Sequence, residues 1–250
     1  MTIVRARFAG QAVIERLLVE QEGVSERSRF ARLFGVSPLS PSSVSWYAGA
    51  LGEIEVGERL RALPPEWTVL HALPVNAKGT DIDHLVIGPA GVFTINTKHH
   101  RHKKVWTSGH AFLVDGHKQS YIRHSLSEGA RIEKLLPGLP VRPVIALVDP
   151  DRITFGAERP VVMVVDSRKI VRWLRSQPAV LGATQVSAIV ATLERPDVWH
   201  DPSVPDHSIR QRFSMLDRSI RVAASRRAIW CVAAAGLAAA MMFETVTRIV

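Results

Sequence analysis

Apolar positions along the chain fall into short, separately phased runs that predict alternating helices and strands. Gln11 to Glu22 carries Val13, Leu17 and Leu18 at helical spacing, an amphipathic helix with those three as candidate contacts. Residues 36–45 (VSPLSPSSVS) are rich in serine and proline and read as a linker, which puts a domain boundary near Trp46. Helical spacing returns from Ala48 to Leu63 and stops at Pro64-Pro65. Thr68 to Leu73 reads as a strand. Asp81 to Ile87 and Val92 to Lys98 read as two more, joined through Gly88-Pro89-Ala90-Gly91 in a hairpin. Val105-Trp106 and Ala111 to Val114 predict a further small hairpin, and Ser120 to Leu136 a helix ended by Pro137-Gly138. The continuous apolar runs Val144 to Val148 and Val161 to Val165 suit buried strands, with helices expected at Ser167 to Arg175 and Thr184 to Leu193. This order predicts an α/β fold, a mixed sheet flanked by helices.

The C-terminus departs from that pattern. Ala228 to Phe243 is 16 consecutive residues without a charge, seven of them alanine. Sixteen helical residues span about 24 Å, short of the ~30 Å hydrocarbon core. Continuing to Val250 supplies the missing length. Arg221, Arg226 and Arg227 precede the run, so a membrane anchor here leaves the body of the protein on the cytoplasmic face. A buried or dimer-forming alanine-rich helix is the alternative. The N-terminus has no uninterrupted apolar core of the length a secretory signal needs. The expected organisation is therefore an N-terminal helical segment and Ser/Pro linker (1–45), a globular domain (46–200), a basic linker (201–227) and a single-pass transmembrane anchor (228–250) in the cell membrane.

Composition narrows the partners. Of 250 residues, 46% are hydrophobic and 22% charged, which excludes wholesale disorder, collagen and disulfide scaffolds. The lone Cys231 excludes an intrachain disulfide. Net charge is +9, from 32 Lys+Arg against 23 Asp+Glu, an excess that favours nucleic acid or an acidic membrane surface. No phosphate-binding glycine loop and no nucleophile elbow is present.

The hairpin concentrates the candidate chemistry. With Ile87 opposite Val92, paired residue numbers sum to 179, so Asp83 faces Asn96 and Asp81 faces Lys98. All four side chains then project from one face, which turns apolar toward the bend at Leu85, Ile87 and Val92. A plain cross-strand ion pair, Asp81 with Lys98, is the simpler account of that quartet. A third acid comes from the preceding helix. Glu53 lies within about 20° of Leu60 and about 60° of Val56, on the apolar stripe, whereas Glu58 points to solvent. An acid on a buried face needs a cation, a lysine or a metal. Oxygen ligands from Glu53 and Asp83, with Asp81 in reserve, suit Mg²⁺, for which Mn²⁺ can substitute. Lys98 beside them can position a water or stabilise charge on a phosphate. From His84 to Val114 there is no acid, and just past the hairpin Arg101, Lys103 and Lys104 cluster with Trp106 behind them. These four are candidates for phosphate contact and base stacking; a solvated basic loop is the plainer alternative.

Gly49-Ala50-Leu51-Gly52-Glu53, then Ile82-Asp83-His84 leading into Gly88-Pro89, then Gly91-Val92-Phe93 and a strand ending Asn96-Thr97-Lys98, resemble the nuclease-related domain (NERD) family. The resemblance covers residues 46 to 136 and continues less specifically to about 200. It implies a restriction-endonuclease-like core of the PD-(D/E)xK superfamily and Mg²⁺-dependent phosphodiester hydrolysis on nucleic acid, DNA first among candidates. By resemblance Glu53 matches the helix acid, Asp83 the metal-binding aspartate and Lys98 the catalytic lysine. One position departs from the pattern: Asn96 stands where the superfamily has an acid two residues before the lysine. An amide still offers a carbonyl oxygen but takes one negative charge from the site. Two readings follow, a weakened nuclease in which Asp81 compensates, and a membrane-tethered binding or interaction module without chemistry. A third has the positive charge serve anionic lipid. Oligomeric state is not legible.

Overall fold

The computed structural model describes residues 2–76, 80–200 and 207–249, with side chains in the last stretch over 208–241. Helices α1 (Ile3–Ala6), α2 (Gln11–Glu22), α3 (Arg29–Leu33) and α4 (Ser43–Leu60) precede the strands. Strands β1 (Thr68–Pro74), β2 (Asp81–Gly88), β3 (Gly91–His99), β4 (Lys104–Ser108), β5 (Ala111–Val114) and β6 (His117–Lys118) lead into α5 (Tyr121–Leu135). Then come β7 (Val141–Val148), β8 (Arg152–Phe155), β9 (Met163–Asp166), α6 (Ile170–Arg175), α7 (Ala183–Leu193) and α8 (His207–Ile249). The chain divides into two compact units, Met1–Glu15 with Trp46–Pro205 and Arg16–Ser45 with Asp206–Val250.

In the first unit a five-stranded sheet runs β1-β2-β3-β7-β9, antiparallel from β1 to β3 and parallel from β3 through β7 to β9. Such a mixed α/β sheet matches the expected class. The tight Gly88–Gly91 bend sets the register, with Ile87 opposite Val92 and His84 opposite Ile95. Alternation then sends side chains to two covers. Leu85, Ile87 and Val92 pack with Ile132 of α5 and Val186, Val190 and Leu193 of α7. Val86, Phe93 and Ile95 pack with Val56 and Leu60 of α4 and Ile170 and Leu174 of α6. Helices α4 and α5 therefore flank opposite faces of the hairpin strands.

A second, four-stranded sheet runs β6-β5-β4-β8, and Val105, Phe112 and Val114 bury it against Ile122, Ile145 and Leu147. Its strands β6 and β8 were not expected: β6 is two exposed residues, and β8 is mostly exposed and gains its place by parallel pairing with β4. Val161 lies outside the strand predicted to start there, exposed, while β9 begins at Met163. Helix α4 begins at Ser43, inside the stretch read as a linker, because Ser40 caps it: the Ser43 N–H meets Ser40 Oγ at 3.2 Å.

In the second unit, the expected basic linker starts at residues outside those described, and from His207 onward it is helix, continuous with the apolar run through Ile249. Ser208–Met241 is long and apolar enough to cross a membrane by length and composition.

Candidate functional site

The helix acid is placed by glycine. A Cβ at Gly52 would lie 3.1 Å from His99 Cβ and 3.4 Å from Thr97 Cγ2, so its absence lets α4 lie close against the end of β3. The next residue, Glu53, is carried into the interior and is 4% exposed. Glu58 stays outside in an ion pair with Arg61 at 3.0 Å.

The strand acids sit where the hairpin opens. The predicted ladder holds from Ile87–Val92 to His84–Ile95 and stops there; Asp83–Asn96 and Asp81–Lys98 are not ladder pairs. A carboxylate takes the place of the next partner, since Asp83 Oδ2 accepts the Thr97 N–H at 2.6 Å. From Asn96 onward β3 keeps only its pairing with β7, which runs from Val92 to His99, with Asn96 opposite Ile145 and Lys98 opposite Leu147. The opening lets side chains from the two helical covers meet between β2 and β3. Among the described residues Lys98 makes no ion pair, so the plain Asp81–Lys98 bridge is not formed. Its Nζ lies instead 5.3 Å from the ring centre of Tyr121.

Ligand oxygens of Glu53, Asp81 and Asp83 lie within 4.8 Å of one another. Burial pushes Glu53 well above the ordinary carboxylate range, and the charges of Asp83 and Asp81 add to the shift; Lys98 and the Gly10 backbone N–H oppose it. Burial, then Asp83, pushes Asp81 up to about 7 against the pull of Arg7 and Lys98. Asp83 is raised by burial, while Lys98 and the Thr97 N–H draw it down. Three acids around one lysine raise one another's proton affinity, so the cluster favours protons or a cation among them.

A fourth acid completes the cluster. Glu128 of α5 is 7% exposed, and Asn96 Nδ2 donates to its Oε1 at 2.5 Å. Burial and then the Asp83 charge push it up to about 8. That bond turns the amide of Asn96 so that Oδ1 is buried without a partner, as are Glu53 Oε2, Asp81 Oδ2 and Glu128 Oε2. Such orphaned oxygens cost free energy unless something positive meets them. All are hard oxygen donors, the set that fits Mg²⁺ or Mn²⁺. Sequence reasoning missed Glu128, although the stripe test applied to Glu53 reaches it: Glu128 lies about 40° from Ile132 on the buried side of α5.

The basic candidates divide. Arg101, Lys103 and Lys104 are exposed just beyond β3. Lys103 Nζ, however, pairs with Asp115 at 2.8 Å, and Asp115 Oδ1 also takes the Lys104 backbone N–H at 2.9 Å. Trp106 stands on β4 in the second sheet, 38% exposed, with Gly156 close against its ring. His100 stacks on Tyr121 at 5.6 Å between centres and so links the basic segment to the ring beside Lys98.

Residues 48–148 match the family model of the nuclease-related domain, NERD. The match spans Glu53, Asp81, Asp83, Asn96, Lys98 and Glu128. Comparison with curated proteins and with solved structures returns no match.

Proposed function

We propose, from the match of residues 48–148 to the model of the nuclease-related domain, a PD-(D/E)xK-like nuclease family, that this protein binds nucleic acid and hydrolyses its phosphodiester bonds with Mg²⁺. The observation that carries the reading is the convergence of Glu53, Asp81 and Asp83 within 4.8 Å, beside buried unpartnered oxygens of Asn96 and Glu128. In this reading Glu53, Asp81 and Asp83 hold the cation, Asn96 Oδ1 adds a neutral ligand, and Glu128 supplies the negative charge that Asn96 lacks. When bound, the cation supplies charge neutralisation for the scissile phosphate, with Mn²⁺ able to substitute.

The chain's own groups do the rest. Lys98 donates to the attacking water or to a phosphoryl oxygen and offsets the charge that builds as the new P–O bond forms. The attacking water gives up a proton to solvent as it bonds to phosphorus, and the leaving oxygen takes one from solvent as the old P–O bond breaks. Arg101 and Lys104 draw the phosphate backbone along β3, and Trp106 offers a stacking face. The apolar part of α8 is read as a single-pass anchor, with Arg221, Arg226 and Arg227 holding the first unit at the cytoplasmic face of the cell membrane.

The neutral amide at Asn96 favours a second reading, a tethered nucleic-acid-binding module without catalysis. Purified full-length protein incubated with plasmid DNA, and with RNA beside it, separates the two. The nuclease reading predicts cleavage that needs Mg²⁺ or Mn²⁺ and disappears in Lys98→Ala. Salt-sensitive binding with no cleavage in either metal leaves the binding module.

A further inference from the structure

The second unit carries an apolar and strongly basic surface that the nuclease reading does not use. Helix α3 and the turn after it pack directly on α8. Arg27 Nη2 donates to Ser219 Oγ at 2.6 Å, Arg226 Nη1 to the Arg32 carbonyl at 2.8 Å, and Trp230 Nε1 to the Leu33 carbonyl at 3.0 Å. Gly35 makes the approach feasible. Its φ is +72°, and a Cβ there would lie 2.4 Å from the Ala223 carbonyl oxygen and 2.5 Å from the Arg227 nitrogen. Phe34 and Trp230 complete the junction with rings 5.1 Å apart.

That junction coincides with the start of the uncharged run. Trp230 is the third residue of Ala228 to Phe243, at the level where an entering helix keeps tryptophan at the membrane–water boundary. Whatever is bonded to Trp230 shares its depth. Yet Phe30, Leu33 and Phe34 of this segment are 74%, 50% and 50% exposed, far more apolar surface than so short a helix presents to water without a partner. Around them stand Arg27, Arg29, Arg32, Arg226 and Arg227, with Glu26 paired to Arg32 at 3.0 Å. Burial first, then the charges of Arg32 and Arg226, lower the proton affinity of Arg27. A notch of about 430 Å³ opens among Arg29, Arg32, Leu33, Arg226, Ile229 and Trp230, a lining of three arginines and three apolar side chains.

We infer that α3 and the base of α8 form a membrane-interface foot for anionic phospholipid, with Phe30 and Leu33 entering the acyl boundary and Arg29, Arg32 and Arg226 holding headgroup phosphates. Charge complementarity and continuity with the apolar helix select this occupant. The inference rests on reading α8 as an anchor. It adds that the anchor is a helix plus a side-lying foot selective for negative lipid, rather than a helix alone.

Two depth reporters test it on the full chain in vesicles. One is an environment-sensitive fluorophore on the native Cys231, which reports entry of α8; the other is the same fluorophore on Cys231→Ser/Phe30→Cys, which reports the foot. Vesicles of phosphatidylcholine alone are compared with mixtures containing phosphatidylglycerol, with nitroxide-labelled lipids as quenchers. The expected result is a blue shift and shallow-nitroxide quenching at residue 30 in phosphatidylglycerol vesicles. Both should weaken in phosphatidylcholine and in Arg29→Gln/Arg32→Gln. Gly35→Ala should free residue 30 from the bilayer while Cys231 stays inside. A water-like signal at residue 30 with Cys231 in lipid overturns the foot and leaves the anchor standing; water-like signals at both overturn the two together. Equal depth in phosphatidylcholine alone overturns the selection for anionic lipid. Shielding of residue 30 that persists in detergent and grows with protein concentration assigns the face to a second copy and overturns the lipid occupant.

Discussion

Asn96 Nδ2 donates to Glu128 Oε1 at 2.5 Å, joining a strand position where an acid is expected to a buried acid on the neighbouring helix. The bond holds Glu128 beside Asn96 and leaves Asn96 Oδ1 buried and unpartnered. Under the proposed nuclease reading, Glu128 ionised against a bound cation supplies the charge that the amide removes.

Glu128→Gln keeps an acceptor for the Asn96 amide and removes only the charge. Mg²⁺ affinity should fall by about 10- to 100-fold, the usual scale for a group that supports metal ligands, with the melting temperature little changed. Isothermal titration against the wild type reads this directly, and an unchanged affinity excludes Glu128 from the site's charge.

Asp81 and Glu128 are pushed up to about 7 and about 8, from ordinary values of 3.8 and 4.5. The folded chain therefore binds more protons than the unfolded one between those limits. Stability is fully present below about pH 4 and is lost as pH rises through 7 to 8. In EDTA the melting temperature should drop between pH 5.5 and pH 8.5. Mg²⁺ should offset that drop, by about 2.7 kcal/mol at a hundredfold excess over Kd. A melting temperature flat in both conditions contradicts the crowding of carboxyls.

Gly52→Ala sets two effects against each other. Crowding His99 Cβ at 3.1 Å costs about 1–3 kcal/mol if nothing moves. Alanine returns about 1 kcal/mol of helix propensity. Net stability should change little, because α4 can slide away from β3. That slide withdraws Glu53, so Mg²⁺ affinity should fall more than urea stability does, and the two measurements together separate displacement from unfolding.

Nucleic-acid binding should weaken steeply with salt, and removing one phosphate contact should reduce the log–log slope by about 1. Arg101→Ala and Lys104→Ala should each do so. Lys103→Ala should do less, because its ammonium is already committed to Asp115 at 2.8 Å. Fluorescence anisotropy over a salt series, with equal slopes for all three variants, would count against this division.

Much of this arrangement was readable beforehand because it is local. The Gly88 to Gly91 bend sets the register of β2 and β3, and the position of Glu53 relative to Leu60 betrays a buried acid. The remainder depends on long-range pairing. The end of the ladder at His84–Ile95 arises because Asp83 takes the Thr97 N–H, a competition that strand periodicity does not encode. Strand β8 lacks a buried pattern and exists through its partner β4. Glu128 lay within reach of the same angular test as Glu53, but an acid in the interior stands out only once a neighbour such as Asn96 is placed beside it.

The central claim is that Glu53, Asp81 and Asp83 form one divalent-cation site. Anomalous diffraction at the manganese edge from Mn²⁺-soaked crystals measures it most directly. The account predicts a single strong peak within bonding distance of carboxylate oxygens from all three residues, with Asn96 Oδ1 toward it, and the same peak absent from Asp83→Asn crystals. Ordered carboxylates with no peak at saturating Mn²⁺, or a peak bound elsewhere, would contradict it.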